Sequence, residues 1–468
     1  MTLRDLFVTG VVMLSAVLGI RLPFTALLCF TWLAYMRPQD LCWGFARTAR
    51  FSLLIGAVML LGWFLNERGK RPFTRWDIRT RLILLLLALT TVSLSLAVNQ
   101  GSEVMDYYIE FFKIIVVALF TVGQVDSRVR LRAILWTIAL SLGFFGIKGG
   151  LYGVLSGGAP ILQGPGGMLE DNNDFALALV MNLPMMFYLG QIEEKRIWRM
   201  AAAVGMVLTC ITILLTHSRG GALSMAAVLF VITIRSRYKF QALSLAAVGV
   251  LAFVFFTPTH VFERLASIGE YQADASANAR LTAWQIAFRM IDAFPVLGVG
   301  LRNFQAHWAE FSTGLTQPGG GFAYVAHNSY LQIWAEGGTL AILTYLALFA
   351  SVFVSLFKLR KLGKRTEGGD WIFQYSRMFE ASFVGFVVGA SFLNRGHFDL
   401  FYQLVALVAV FQMLAYRYAA QPLNERLQYE ELDELPPLRV KGANEELPGW
   451  RPDPLPPGGA GSLPRWGR

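Results

Sequence analysis

Ala326-His327-Asn328-Ser329-Tyr330-Leu331-Gln332-Ile333-Trp334-Ala335-Glu336-Gly337-Gly338 joins a long polar loop to an apolar helix. His327 and Asn328 fall at the water edge of that helix. An imidazole there can accept a proton near neutral pH. Glu336 lies nine residues on, inside the apolar run, about 13 Å deeper. Nine residues put it half a turn away from His327, but it shares a helix face with Ser329, seven residues earlier. A carboxylate inside a membrane helix is costly and by default marks a functional site. The plainer reading is a polar helix cap followed by a charge buried in a bundle.

Other stretches carry related chemistry. Thr216-His217-Ser218-Arg219-Gly220-Gly221 opens an apolar helix, and Arg219 is the one charge between about residues 200 and 234. An arginine beside an open helix N-terminus suits a phosphate. The competing reading is a headgroup anchor. Glu170-Asp171-Asn172-Asn173-Asp174 precedes another helix and reads either as a cap and dipole partner or as a sugar-binding cluster through Asn172 and Asn173. Gly298 to Phe304, with Arg302 inside it, reads as a turn. Lys148 and Asn394-Arg395-Gly396-His397 read as structural. The five histidines form no HxxxH pair, so no metal site and no cofactor are expected.

These residues need a scaffold, and composition says which kind. The chain has 468 residues, 55% hydrophobic and 15% charged, with a mean hydropathy of +0.49. Soluble domains carry about 25% charged residues. The expectation is an all-α polytopic membrane protein, and the net charge of +10 becomes a topology signal instead of a nucleic-acid one. Apolar runs fall at about 6–20, 22–36, 51–65, 82–98, 107–122, 133–155, 175–190, 198–216, 221–234, 240–257, 329–357, 378–393 and 398–417. The first two are split by Arg21 and Pro23 and form a hairpin or one kinked helix, so twelve or thirteen spans are expected.

Loops 66–81 and 358–377 hold six Lys or Arg each, and 124–132, 191–199 and 235–239 hold three each. All fall on one side when spans alternate, whereas 99–106 and 156–174 have none. The basic side should be cytoplasmic. The 71-residue loop 258–328 should then lie outside. All five histidines, His217, His260, His307, His327 and His397, would sit at or beyond the outer edge. The organisation expected is helices over 1–257, a large outer loop with an amphipathic helix over 258–328, helices over 329–417 and a disordered cytoplasmic Pro-rich tail over 418–468. In the loop, Ala279, Leu281, Trp284, Ile286, Ala287, Met290 and Ile291 outline a helix ended by Pro295. Pro318-Gly319-Gly320-Gly321 reads as mobile. Cys29, Cys42 and Cys210 read as unpaired packing residues. No small-residue cleavage site follows the first run, so no removable signal peptide is expected.

With these residues in view, the sequence resembles the O-antigen ligase and polymerase superfamily of bacterial polysaccharide enzymes. The resemblance is carried by Ser218-Arg219-Gly220-Gly221, Arg280 with Trp284, Pro295 to Phe304, and His327-Asn328-Ser329-Tyr330 with Glu336-Gly337. Met36-Arg37-Pro38 and Trp43-Gly44-Phe45-Ala46 look more like the O-glycosylation ligases that accompany exosortase systems. The resemblance implies a glycosyltransferase-C-like helical bundle in the bacterial inner membrane, with its active site facing the periplasm. It implies transfer of a glycan from undecaprenyl pyrophosphate to a lipid, protein or glycan acceptor, without a metal. His327 would act as general base, and Arg219 and Arg280 would stabilise the pyrophosphate. Asn328, Ser218, Arg302, Glu336, Asn172 and Asn173 would bind substrate. The alternatives are a polymerase joining lipid-linked repeat units, or a lipid-linked glycan flippase or transporter. A transporter should carry charge pairs near the midplane and broken helices in matching halves.

Overall fold

Polar residues at the helix starts set the boundaries. Thr2 and Asp5 form a reciprocal capping box on α1 (Leu3–Arg21). Asp77 accepts from the Arg79 N–H to start α4 (Ile78–Ser95). Ser127 accepts from Arg130 N–H to start α6 (Arg128–Leu155). Such oxygens satisfy backbone donors that would otherwise be stranded at the end of an apolar helix. The remaining helices are α2 (Pro23–Tyr35), α3 (Phe51–Gly62, extended by a π turn over Trp63–Glu67), α5 (Ser102–Gln124), α7 (Asn172–Ile192), α8 (Arg196–Leu215) and α9 (Arg219–Arg235). After them come α10 (Ala275–Ala293), the short α11 (Trp308–Phe311), α12 (Ser329–Arg365), α13 (Asp370–Ala390) and α14 (Asp399–Ala420).

The computed structural model describes residues 2–235, 275–315 and 323–422. The run 240–257, His260, residues 318–321 and the tail beyond 422 lie outside the described residues. Residues 1–421 form one compact unit. The described residues are helical apart from loops and one isolated bridge between Gln163 and Asp171.

The first two runs form a hairpin. The chain breaks at Leu22, with Pro23 in the first turn of α2, and the two helices pack on each other and on α3. Among the described residues, seven helices are long and apolar enough to cross a membrane: α1, α4, α6, α7, α8, α12 and α14. The protein is therefore a multi-pass membrane protein. The runs 22–36, 51–65, 107–122, 221–234 and 378–393 also form helices, but α2 and α3 are short. The α5 and α13 segments carry several charges, among them Glu103, Asp106, Glu110 and Lys113 on α5. The expectation of twelve or thirteen spans also counts these shorter or more charged helices and the run 240–257, which lies outside the described residues.

Two helices form the centre. Nearly every residue of α7 from Asp174 to Gly190 is buried, as is α14 from Leu400 to Phe411. α7 packs against α6, α8, α9 and α13, and α14 packs against α5 and α12. A helix apolar all round is stable only when surrounded in this way. The Lys/Arg-rich end of the bundle is cross-linked by ion pairs. Arg71 meets Glu67 at 2.5 Å and Asp126 at 2.6 Å. Arg79 is fully buried; its guanidinium forks onto Asp77 at 2.6 and 2.8 Å and reaches Gln412 at 2.9 Å. Arg235 and Arg360 share Glu380.

Candidate active site

At the opposite end of the bundle, α12 begins where Asn328 turns its side chain back as a cap. Its Oδ1 accepts from Tyr330 N–H at 2.9 Å and from Leu331 N–H at 3.1 Å. His327 precedes this cap with φ 48°, in the left-handed region. That conformation is costly for a residue with a side chain and persists only when its surroundings enforce it. Here they do. Trp284 Nε1 on α10 donates to Ala326 O at 3.0 Å. Ser329, fully buried, donates to Leu393 O at 2.7 Å and accepts from Arg395 N–H at 2.9 Å. His327 is half-buried. Burial holds its pKa below the usual 6.5, Arg280 lowers it further, and Asp171 opposes them. The imidazole is accordingly neutral near pH 7, with an arginine and a carboxylate within electrostatic reach.

α10 supplies Arg280. It lies on the bundle through Ala279, Ala283, Ile286, Ala287, Met290 and Ile291, a helical stripe that packs with Leu331 and Ala335 of α12. The amphipathic helix expected in this loop is thus present. Leu281 differs from the expectation: it is 40% exposed, on the outward face.

Asp171 caps α7, its Oδ1 accepting from Asn173 N–H at 2.8 Å. Asn173 Nδ2 also donates to Asp171 and to Asn172, at 3.0 Å each. Asn172 Nδ2 donates to Thr216 O at 2.7 Å, which ties this terminus to the segment carrying Ser218 and Arg219. Ser218 is buried, and its Oγ caps α9 by accepting from Gly221 N–H at 3.0 Å. At the N-terminus of α9, which its two glycines suggested to be open, this cap takes the Gly221 N–H. Those glycines serve close packing instead. A Cβ at Gly221 would lie 2.7 Å from Ala176 Cβ, and one at Gly220 would lie 3.0 Å from Phe392 Cβ. Arg219 itself is exposed at that rim, and His217 before it is left-handed.

The stretch from Pro295 to Phe304 is more than a turn. α12 is broken at Gly338, where φ is 76° and ψ −178°. The loop docks into the break. Val299 N–H donates to Ala335 O at 2.9 Å, Gly300 N–H to Glu336 O at 3.0 Å, and Thr339 N–H to Pro295 O at 2.8 Å. The Ser93 hydroxyl lies 2.5 Å from Leu297 O and 2.7 Å from Glu336 O. Asn303 pins the loop to the α4–α5 turn by exchanging hydrogen bonds with the Asn99 main chain at 2.8 and 2.9 Å.

Glu336 is buried beneath this loop. Gln332 Nε2 donates to its carboxylate at 3.3 Å, and the backbone N–H groups of Arg302 and Phe304 face it. It lines a cavity of about 10 Å³ together with Thr90, Leu301 and His397. Arg302, left-handed at φ 59°, stacks its guanidinium 4.7 Å from the Tyr107 ring centroid. Burial first, then Arg302, push the His397 pKa down to about 3.

The structure thus gathers the sequence-derived residues into two neighbouring groups. One joins His327, Arg280, Asp171, Asn172 and Asn173 with the Ser218–Arg219 turn. The other joins Glu336, Arg302 and His397. Asn328 and Ser218 spend their side-chain oxygens on helix caps. Sequence reasoning undervalued the link between the groups. Arg395 pairs with Asp174 while its N–H bonds Ser329, and Tyr107 lies within the fields of Arg395, Arg302, Glu336 and Asp174. No periodicity or motif reveals a partner 221 residues away in sequence. Among the described residues, no cluster of three or more His, Cys, Asp or Glu could hold a metal ion.

The described residues thus form a multi-pass helical bundle with His327 and Arg280 close together at one end. Residues 204–346 match the family model described as O-antigen ligase. That segment holds Ser218, Arg219, Arg280, Arg302, His327, Asn328 and Glu336, and the match supports the O-antigen ligase superfamily and, in general terms, a membrane glycosyltransferase or ligase. Residues 3–193 match a family of unknown function. No curated protein matches the chain.

Proposed function

We propose that this protein transfers a glycan from undecaprenyl pyrophosphate to an acceptor hydroxyl at the periplasmic face of the inner membrane. The observation that carries the reading is His327, half-buried, held in a strained backbone conformation and kept neutral by burial and Arg280. A sugar pyrophosphate is already an activated donor. The protein has two tasks: to stabilise the departing charge, and to remove a proton from the acceptor. Arg219 and Arg280 perform the first through charge-assisted hydrogen bonds. His327 performs the second, because a neutral imidazole is the form that accepts a proton. A single displacement inverts the anomeric carbon. Asn172 and Asn173 present amides to the glycan beside the base, and Arg302 and Glu336 shape the floor. The asymmetry of Lys and Arg between the two ends supports the orientation.

The test is product analysis in proteoliposomes containing the purified protein and a defined lipid-linked oligosaccharide, with and without acceptors. The expected result is glycan joined to an acceptor hydroxyl with release of the polyprenyl pyrophosphate. Chain growth of the lipid-linked glycan in place of this would make the protein a polymerase. Movement of the intact donor across the bilayer without bond exchange would make it a flippase and overturn the proposal.

A further inference from the structure

A cavity that the catalytic reading leaves unused lies between α2, α3 and α5. Its volume is about 810 Å³, within the range of roughly 300–1,000 Å³ common for small-ligand sites. The long wall is apolar, with Phe30, Leu53, Leu60, Val116 and Val117 among its residues. Leu53 and Phe112 are 61% and 46% exposed, so the cavity opens sideways toward the hydrocarbon of a membrane. Small residues Gly56 and Ala57 make room in its floor.

Polar groups gather along the remaining wall: Arg37, Gln39, Arg50, Glu110, Lys113 and Asp399. Most of these charges are already balanced. Arg37 pairs with Asp40 at 2.6 Å, and Lys113 with Glu110 at 2.7 Å. Asp399 sits on the N-terminus of α14, where it accepts from Leu400 N–H at 2.7 Å and lies within the fields of Arg395 and Arg37. The Arg50 side chain has no ion pair or hydrogen bond among the described residues. Gln39 Oε1 is buried without a hydrogen-bond partner. A chain-shaped apolar trough that ends at one unmatched cation is complementary to a lipid whose head carries one negative charge.

We propose that this cavity binds one anionic phospholipid, with its phosphodiester at Arg50 and its acyl chains along α2, α3 and α5. The site is separate from the candidate active site. None of His327, Arg219, Arg280 or Arg302 lines it, and one unpaired arginine matches a phosphodiester better than the higher charge of a pyrophosphate. Apart from Asp399 and Gln403, its lining residues belong to the segment 3–193 that matches a family of unknown function.

Native mass spectrometry of the full chain, purified through a delipidating detergent and titrated with phosphatidylglycerol or phosphatidylcholine, tests this without using transfer activity. Wild type should retain one phosphatidylglycerol and at least tenfold less phosphatidylcholine. Arg50→Asp should lose retention by at least tenfold. Arg50 is the N-cap of α3, and aspartate is a preferred cap, so this variant should fold. Gly56→Leu should also lose retention. A Cβ there meets only Phe30, at 3.6 Å, so the added side chain enters the cavity. Three results overturn the proposal: retention unchanged in Arg50→Asp, equal retention of phosphatidylcholine, or displacement of the bound lipid by an equal concentration of polyprenyl phosphate. The last would assign the trough to the donor tail.

Discussion

His327 owes its proposed role to burial and two charged neighbours acting together. Burial and Arg280 lower its pKa and Asp171 raises it, with a net shift downward from 6.5. The sign for catalysis follows. Rate should rise with pH through a midpoint below 6.5 and then level, because the neutral form is active. The sign for stability agrees: the unfolded chain takes the proton first, so this residue's contribution is intact above 6.5 and falls as pH drops below it. His327→Ala should lower transfer by about 10²–10⁴ while leaving donor binding nearly intact. A pH–rate profile at saturating donor checks both statements. An acidic limb persisting at full amplitude in the variant would assign the base elsewhere, and His307, held 2.9 Å from Glu310, is the comparison to make. Arg219 carries a separate prediction. Arg219→Ala should cost about 10²–10³ in rate, and Arg219→Lys should remain impaired because it lacks the planar fork. A loss below about threefold at unchanged protein level would leave Arg219 as a headgroup anchor.

The break in α12 governs how these side chains are presented. With Gly338 outside helical geometry, the carbonyls of Ala335 and Glu336 turn to the Val299 and Gly300 amides. The loop carrying Arg302 is thereby fixed to the helix that follows His327. A Cβ at Gly338 would lie 2.1 Å from Val296 O, on a backbone that side chains rarely adopt. Gly338→Ala should therefore destabilise the protein by at least about 1–3 kcal/mol. A Cβ at Gly10, inside α1, would meet nothing within 4 Å, and Gly10→Ala should be neutral or stabilising by up to about 1 kcal/mol. Thermal unfolding in detergent compares the two. A Gly338 variant as stable as Gly10→Ala would mean that the loop is not docked as described.

The bundle as a whole has a polar chemistry end and a cationic end. Arg71, Arg79, Arg235 and Arg360 are tied down by carboxylates at one end, while His327, Arg280 and Glu336 gather at the other. Cysteines placed at Thr313, beside α11, and at Thr366, after α12, should label from opposite faces of intact cells. Labelling of both from outside would reject the orientation and the periplasmic site with it. Transfer should also persist in EDTA, since the arginines take the place of a cation at the pyrophosphate. Loss of activity restored by Mg²⁺ or Mn²⁺ would contradict that assignment.

Hydropathy, Lys/Arg spacing and capping residues were enough to read an all-helical membrane protein and the helix that carries Arg280. These are local or compositional properties, written in short windows of sequence. The resemblance carried by Arg219, Arg280 and His327 likewise lies in contiguous motifs, and the family match covers the same region. Other features depend on contacts between distant segments. Glycines at 220 and 221 look like open backbone until Phe392 and Ala176 are packed on them. A helix pattern runs through Gly338 without interruption, because apolar periodicity does not register a loop arriving to satisfy freed carbonyls. Arg395 looks like an ordinary turn residue until α7 brings Asp174 to it. The trough beside Arg50 exists only once α2, α3 and α5 are assembled. Sequence determined which groups could bear charge or accept a proton, and where the chain turns helical; tertiary structure decided which charges are cancelled and which backbone groups are taken, because both depend on partners remote along the chain.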